Sequence, residues 1–181
     1  MSKNCLSNDL TQEEYDILKK TTLRIAGYQH ESIVDGVGIR TVVFFQGCHF
    51  NCEGCHNKHT HARDAGKLVT ALEVYEEIYS SKLAKGVTFS GGEPFLQEDA
   101  LLVLTKILFS KKRHITIYTG HEYNELFLSK YCSKEKESIR REIIENYVNV
   151  LITGRYIENL KTYDKAFVGS SNQEIHTIKP V

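Results

Sequence analysis

The amino-acid sequence predicts an α/β fold with a parallel sheet that forms an incomplete, open (β/α) barrel. Short β-branched and aromatic runs alternate with segments of helical periodicity, which is the pattern of βαβ units with right-handed crossovers. Four such runs are present, and each leads into a loop with cysteine or glycine. The chain has 181 residues, whereas a complete eight-fold barrel takes about 250 residues. An open barrel with fewer strands therefore fits its length.

The predicted elements follow one another in a regular order. The first strand lies in IRTVVFF and leads into the loop GCHFNCEGCHNKHT. The helix TALEVYEEIYSSK comes next, with Thr70 and Glu73 as a capping box. The later strands lie in GVTFSGGEP, HITIYTG and VNVLITG, and the helices between them in EDALLVLTKILFSKK and SIRREIIENY. Because ligands collect at the carboxyl ends of parallel strands, the four loops are expected to share one face.

The composition indicates a globular protein without a strongly charged surface. Hydrophobic residues make up 41% and charged residues 25% of the chain, and 23 basic residues balance 23 acidic ones. This neutrality argues against binding to nucleic acid or to an anionic membrane. No segment approaches the roughly 20 apolar residues of a membrane helix, so we expect a cytoplasmic protein. Residues 1–20 are predicted to be a polar N-terminal extension, and residues 21–181 a single domain.

Three cysteines stand close together in the loop after the first strand. Cys48, Cys52 and Cys55 have the spacing CxxxCxxC, and most residues between them are polar or small. Thiolates are soft ligands that select zinc or iron–sulfur clusters. Cysteines that act only as small buried hydrophobes would need apolar neighbours, which this loop largely lacks. The pattern therefore predicts a metal site.

The residues alone leave two kinds of metal site open. Zinc would need a fourth ligand, and the loop offers His49, His56, His59 and His61. Structural zinc sites usually combine two ligand pairs, however, and the chain has no second CxxC. Three cysteines can instead hold three irons of a [4Fe–4S] cluster and leave the fourth iron open, since the ferredoxin run with a further cysteine is absent. The approach of Cys5 or Cys132 in space is also left open.

The cysteine spacing, followed one βα unit later by SGGEP, resembles the radical S-adenosylmethionine superfamily. The resemblance implies a [4Fe–4S] cluster on the three cysteines, with an open iron that chelates the methionine part of S-adenosylmethionine. Two glycines let backbone approach a ligand closely, and the Glu93 carboxylate could receive its ammonium group. His56 would offer a ring to the adenine. The implied contacts to S-adenosylmethionine are Gly54, Cys55, His56, Ser90, Gly91, Gly92, Glu93, Tyr118 and Thr119.

Further segments resemble the activating proteins of glycyl-radical enzymes. IVDGVGIRTVVFFQGC is similar to their DGPG.R element, and CHNK is similar to the continuation of their cluster loop. The stretch 148–178, with GSSNQ at 169–173, resembles the activating proteins of anaerobic ribonucleoside-triphosphate reductase. Val37 replaces the family's usual proline. Thr153 replaces a usual acidic residue, a role that Glu158 or Asp164 could take.

The resemblance implies an enzyme that removes hydrogen from a glycine of a partner protein. One electron from a flavodoxin or ferredoxin-type donor would cleave S-adenosylmethionine to methionine and a 5′-deoxyadenosyl radical, which removes a hydrogen atom from the glycine Cα. The implied partner is anaerobic ribonucleoside-triphosphate reductase. The alternatives are the activation of another glycyl-radical enzyme, of the pyruvate formate-lyase or dehydratase type, and a non-catalytic zinc-binding interaction module.

Overall fold

The computed structural model describes residues 9–128 and 133–179, so Cys5 and Cys132 lie outside the described residues. Within these ranges seven strands form one sheet, in the spatial order third, first, second, fourth, fifth, sixth, seventh. In chain order the strands are β1 (Thr22–Ser32), β2 (Arg40–Phe45), β3 (Lys67–Thr70), β4 (Gly86–Gly91), β5 (His114–Tyr118), β6 (Val150–Thr153) and β7 (Glu174–Thr177).

The four strands predicted from the sequence form the centre of this sheet. β2 pairs with β4, β4 with β5, and β5 with β6, always in parallel register. Each of these strands is buried over most of its length, as apolar runs in parallel sheets usually are. The prediction of these four parallel strands is therefore confirmed.

The sheet as a whole is mixed and not closed, so the parallel sheet that the sequence predicts forms only its four central strands. β1 runs antiparallel to β2 and β3, and β7 runs antiparallel to β6. The sequence did not predict these three strands because they lack a continuous apolar run. β1 is buried only at scattered positions and has a register shift between Ile25 and Gly27. β3 and β7 have four residues each and are largely exposed.

In the described residues four α-helices accompany the sheet: α1 (Gln12–Lys20), α2 (Ala71–Ser80), α3 (Glu98–Ser110) and α4 (Lys134–Tyr147). α2 and α3 lie in the predicted helical segments, and α4 contains the segment SIRREIIENY but begins four residues earlier, at Lys134, so the three predicted helices are confirmed. The predicted capping box also forms, because the Glu73 amide donates to the Thr70 hydroxyl and the Thr70 amide donates to the Glu73 carboxylate. Within the described ranges, none of the helices has the length and hydrophobicity needed to cross a membrane.

One hydrophobic core joins the helices to the sheet. It contains buried residues from all four helices and from the strands β1, β2, β4, β5 and β6. Leu18 of α1 is fully buried in this core, so the described end of the predicted extension packs against the rest of the chain. The division of the chain at residue 20 stays a prediction.

Candidate cluster and cofactor site

A cavity of about 530 Å³ opens where the four central strands end. Its lining includes residues of the loops after β2, β4, β5 and β6, for example Cys48, Gly92, Gly120 and Gly154. The expectation that these loops share one face is therefore confirmed. The space falls within the range of about 300–1,000 Å³ that is usual for small-molecule sites.

The loop after β2 brings the three cysteines to this cavity. Cys48, Cys52 and Cys55 all line it, and each is half-buried. Backbone amides of residues 47 and 48 donate to carbonyls of residues 60 and 61, at 2.7 and 3.0 Å. The cysteines are thus carried on a loop whose two ends are hydrogen-bonded to each other.

The surroundings of Cys48 and Cys52 favour the protonated form of these two thiols in the metal-free protein. Burial raises the pKa of Cys48 and of Cys52, and the neighbouring thiols add to the increase. The Cys55 sulfur accepts a hydrogen bond from the Asn57 amide at 3.4 Å. Because metals bind the thiolate form, loading this site with metal would release protons.

The donor set fits an iron–sulfur cluster. Such a cluster binds each cysteine to a different iron, so its cysteines lie around the group and need not converge on one point. Three thiols around one cavity meet this requirement. Across residues 9–128 and 133–179, no three His, Cys, Asp or Glu side chains are grouped so that they could hold a single metal ion.

The glycine turn after β4 packs tightly against the start of the cysteine loop. The amides of Gly92 and Glu93 donate to the carbonyls of Phe45 and Gly47, both at 2.8 Å. A Cβ atom on Gly92 would lie 2.2 Å from the Gly47 carbonyl oxygen. Any larger residue at position 92 would therefore force two backbone segments apart. The turn contributes residues 90–92 to the cavity wall.

Glu93 joins two walls of the cavity. Its side chain has no exposed surface, and its carboxylate accepts hydrogen bonds from the amides of Phe95 (3.0 Å) and Gly120 (2.9 Å) and from the Thr119 hydroxyl (3.0 Å). Burial raises the pKa of Glu93 to about 7, although these donors act to lower it. The sequence predicts that this carboxylate receives an ammonium group. In the structure its oxygen atoms hold the loop after β5, so direct contact with a cofactor stays a prediction.

Tyr118 and Thr119 stand at the carboxyl end of β5, and both line the cavity. The Tyr118 hydroxyl donates to the Phe167 carbonyl at 2.8 Å. A Cβ atom on the next residue, Gly120, would lie 2.4 Å from the Phe50 ring. This strand end therefore contacts both the cysteine loop and the C-terminal part of the chain.

His56 also lines the cavity, and its ring centroid lies 5.2 Å from that of Tyr156. Gly54 has a φ of +72°, and a Cβ atom there would overlap the Glu158 carboxylate. The same carboxylate accepts a hydrogen bond from the Tyr156 hydroxyl at 2.8 Å. These contacts place the region after β6 directly beside the cysteine loop.

Position 153 holds no acidic group at the end of β6. The Thr153 hydroxyl oxygen lies 2.9 Å from Nε2 of His176 in β7, and Thr153 is buried. Of the two acidic residues considered as replacements, Glu158 is the one placed beside the cysteine loop, at Gly54. Asp164 is exposed.

Similarity to known proteins covers most of the chain. A family model described as a 4Fe-4S single cluster domain matches residues 34–176. The anaerobic ribonucleoside-triphosphate reductase-activating protein of enterobacteria phage T4 is 31% identical over 148 residues, which cover 78% of this chain and 86% of that protein. The protein of the same name from Escherichia coli (strain K12) is 28% identical over 160 residues, covering 84% and 97%. The chain belongs to the 4Fe-4S single cluster domain family.

Two further similarities are partial. The pyruvate formate-lyase-activating enzyme of Clostridium pasteurianum is 42% identical over 106 residues, 55% of this chain and 44% of that enzyme. This chain thus spans less than half the length of that relative, whereas it spans nearly all of the Escherichia coli protein. The crystal structure of QueE from Escherichia coli aligns with 61% of this chain and 58% of its own at 19% identity, with a TM-score of 0.48.

The region matched by the family model also contains cavity residues that the sequence did not predict. Much of the wall comes from the C-terminal segment 154–173, including Tyr156, Lys161, Lys165 and Phe167. The Gln173 side chain links the two ends of this segment. Its oxygen accepts a hydrogen bond from the Gly169 amide (2.8 Å), and its nitrogen donates one to the Gly154 carbonyl (3.0 Å). The segment has no strand or helix periodicity, and its signal in the sequence was the resemblance of the stretch 148–178, with GSSNQ at 169–173.

Val34 and Asp35 form a further unpredicted part of the wall. They belong to the stretch VDGVG between β1 and β2, whose DGVG part resembles the family's DGPG element. The resemblance marked the stretch as a family feature but assigned no position in the site to it.

Proposed function

We propose that the protein activates an anaerobic ribonucleoside-triphosphate reductase by forming a glycyl radical on it. The observation that carries this proposal is the convergence of three cysteines and a glycine turn on one cavity. The similarity to reductase-activating proteins over nearly their whole length supports the same activity. The protein is proposed to act as a radical S-adenosylmethionine enzyme.

Cys48, Cys52 and Cys55 would hold a [4Fe–4S] cluster with one iron free of protein ligands. When bound, a reduced cluster of this kind supplies the electron that cleaves S-adenosylmethionine to methionine and a 5′-deoxyadenosyl radical. The chain's part is to hold, orient and shield these groups. The Asn57 amide, which donates to the Cys55 sulfur, helps to orient that ligand.

The remaining cavity residues would bind S-adenosylmethionine. The glycine turn at residues 90–92 exposes backbone at the cavity wall, where a side chain would block close approach. The His56 ring is available for the adenine, and Tyr118 and Thr119 for the ribose or methionine. Gly54 and Glu93 are not among the residues that line the cavity. Gly54 would support the site through the conformation of the cysteine loop, and Glu93 through its hydrogen bonds to the loop after β5. The C-terminal segment would exclude water from the space.

An open sheet suits a protein substrate. β3 and β7 form the two edges of the sheet, and we propose that the architecture is an incomplete barrel of the radical S-adenosylmethionine type. A glycine-bearing loop of the reductase could enter such a barrel, whereas a closed barrel would admit only small molecules. The electron donor is proposed to be a flavodoxin or ferredoxin-type protein, and the location cytoplasmic.

A second candidate function is the activation of a pyruvate formate-lyase type enzyme. The 42% identity to the Clostridium pasteurianum activating enzyme favours it, although only 55% of this chain is covered. The two candidates share the cavity chemistry and differ in the partner. Incubating the loaded protein with each type of partner and recording the glycyl-radical signal by electron paramagnetic resonance separates them.

Anaerobic reconstitution with iron and sulfide tests the proposed function. The wild-type protein should turn brown and, once reduced, convert S-adenosylmethionine to 5′-deoxyadenosine. Cys52→Ala should lose the cluster and this activity while its far-ultraviolet circular dichroism stays native. Cys5→Ala, a cysteine far from the loop in sequence, serves as the matched control and should behave as wild type. Wild-type protein that binds one zinc ion and no iron or sulfide would support the zinc-binding module instead.

A further inference from the structure

Arg40, the first residue of β2, is a fully buried cation. All five N–H donors of its guanidinium are used. Nε donates to the Thr88 hydroxyl at 2.7 Å. One terminal nitrogen reaches the Val37 carbonyl (2.7 Å) and His114 Nδ1 (3.0 Å), and the other reaches the carbonyls of Val87 (2.6 Å) and His114 (3.1 Å). None of these acceptors is a carboxylate, so neutral groups satisfy all the hydrogen bonds of this buried guanidinium.

The acceptors connect the β1–β2 loop, defined here as residues 33–39, to two central strands. Arg40 holds the loop directly through the Val37 carbonyl. It also holds the loop through Thr88 of β4, because the hydroxyl that accepts from Arg40 donates in turn to the Asp35 carbonyl at 2.7 Å. Two of the loop's backbone carbonyls therefore depend on one guanidinium.

The β1–β2 loop has little apolar packing of its own. The side chains of Ile33, Val34 and Val37 are 71%, 70% and 62% exposed. Exposed side chains contribute little burial free energy, so the position of the loop depends on its hydrogen bonds. This matters for the site because Val34 and Asp35 form part of the cavity wall.

His114 completes the arrangement as an acceptor. A guanidinium only donates hydrogen bonds, so Nδ1 of His114 must be unprotonated and its ring neutral, with the proton on Nε2. Burial and the adjacent Arg40 both lower the pKa of His114, which agrees with this state. A protonated ring would remove the acceptor and place two cations in contact.

We propose that Arg40 is a positioning residue that fixes the β1–β2 loop in the cavity wall, with neutral His114 as its required acceptor. Lysine cannot replace it, because a compact ammonium has three donors and cannot reach five acceptors in one plane. Gly86 leaves the space that the Arg40 guanidinium occupies. A Cβ atom there would lie 2.5 Å from a terminal nitrogen of Arg40, so Gly86→Ala displaces the guanidinium without removing a donor or acceptor.

Limited proteolysis of the metal-free protein with thermolysin tests the proposal. Thermolysin cuts before Ile and Val, both present in the β1–β2 loop, and mass spectrometry locates the cuts. Arg40→Lys, Gly86→Ala and His114→Leu should each increase the rate of cleavage in this loop by about tenfold or more, the effect of losing a buried hydrogen bond. His114→Asn keeps an acceptor oxygen near the position of Nδ1 and should restore slow cleavage.

Arg113→Lys is the matched control. Arg113 donates to the Ala84 carbonyl at 2.5 Å near the same end of the sheet and makes no bond to the β1–β2 loop in the described part of the chain. In Arg113→Lys the rate of cleavage in the β1–β2 loop should stay within about twofold of wild type. If Arg40→Lys does not fold, Gly86→Ala and the two His114 variants decide the result. Unchanged cleavage in both Gly86→Ala and His114→Leu would overturn the proposal.

A second readout rests on the proposed function. In reconstituted protein, His114→Leu should raise the KM for S-adenosylmethionine by about tenfold, with iron content unchanged and kcat reduced less than KM is raised. His114→Asn should return KM toward the wild-type value. The two proposals fail separately. Wild-type protein without S-adenosylmethionine cleavage would contradict the function, whereas unchanged loop cleavage would contradict the role of Arg40.

Discussion

Single buried polar residues determine much of this site. Arg40 and Glu93 have no exposed surface, and every oxygen or N–H group of their charged ends has a partner. Moving a partner away would leave a buried charged group without a hydrogen bond, which is costly, so these residues fix the positions of their neighbours. Both are therefore sensitive to changes that replace an acceptor with a donor.

The protonation of His114 gives a prediction at the same scale. Its folded-state pKa lies below the ordinary value of 6.5, so between these two values the unfolded chain binds more protons than the folded one. Stability must then rise with pH across this window and fall as the pH drops below about 6.5. The free energy of unfolding, measured with urea on metal-free protein, should fall between about pH 7.5 and about pH 5.5. This fall should be smaller for His114→Asn than for wild type.

The other histidines with a lowered pKa, His49 and His121, are present in both proteins. The difference between the two pH dependences therefore isolates His114. An equal loss of stability in wild type and His114→Asn would show that His114 does not titrate against Arg40.

The sequence predicted some of these residues and not others, for physical reasons. Cys48, Cys52 and Cys55 were found because their local spacing carries the chemistry. Arg40 stands in the stretch that resembles DGPG.R, but its role was not predicted, because its five acceptors come from residues 37, 87, 88 and 114, and only the folded sheet brings them together. Glu93 was assigned to the site, yet the direction of its carboxylate depends on Thr119 and Gly120 of the next loop.

Secondary-structure elements also differ in how well the sequence predicts them. The strands β2, β4, β5 and β6 were predictable because central parallel strands need continuous apolar runs. β1, β3 and β7 carry mixed or exposed residues, and their pairing depends on neighbours that sequence periodicity does not show. The helix α1 is an intermediate case, since its hydrophobic pattern is weak although Leu18 is fully buried.

This burial gives a prediction for α1. Leu18→Ala should reduce the free energy of unfolding by about 2–5 kcal/mol, because it leaves a cavity in the shared core. Ile17→Ala is the matched control on the same helix; Ile17 is 41% exposed, and its loss should cost about 1 kcal/mol or less. Denaturant unfolding of the metal-free protein measures both values. Equal, small effects would mean that α1 is only loosely attached to the rest of the chain.

The cavity is a property of the whole molecule, because its walls come from positions between 34 and 173. Amide and carboxylate side chains hold these distant walls together. Gln97 accepts from the Arg24 amide (2.7 Å) and donates to the carbonyls of Arg24 (2.8 Å) and Gln46 (3.0 Å), which ties β1 to the start of the cysteine loop. Gln173 folds the C-terminal segment, and Glu93 joins the loops after β4 and β5.

Replacing Glu93 by glutamine tests whether these ties hold the cavity together. One carboxylate oxygen accepts from the Phe95 amide and the other from the Gly120 amide, so an amide group must direct its NH₂ at one of these N–H donors. Glu93→Gln should therefore reduce the free energy of unfolding by about 1–3 kcal/mol. Glu122→Gln, an exposed residue, is the control and should change it by about 0.5 kcal/mol or less.

The consequence for the cavity is measured on reconstituted protein. With the loops after β4 and β5 no longer joined, Glu93→Gln should bind S-adenosylmethionine about tenfold more weakly, since misplacement of one wall weakens every contact it makes. The cysteine loop is held by its own backbone bonds at residues 47, 48, 60 and 61, so the iron content should stay at the wild-type level. Loss of iron together with loss of S-adenosylmethionine binding would show instead that the Glu93 side chain also supports the cysteine loop, by keeping in place the backbone N–H of residue 93 that donates to the Gly47 carbonyl.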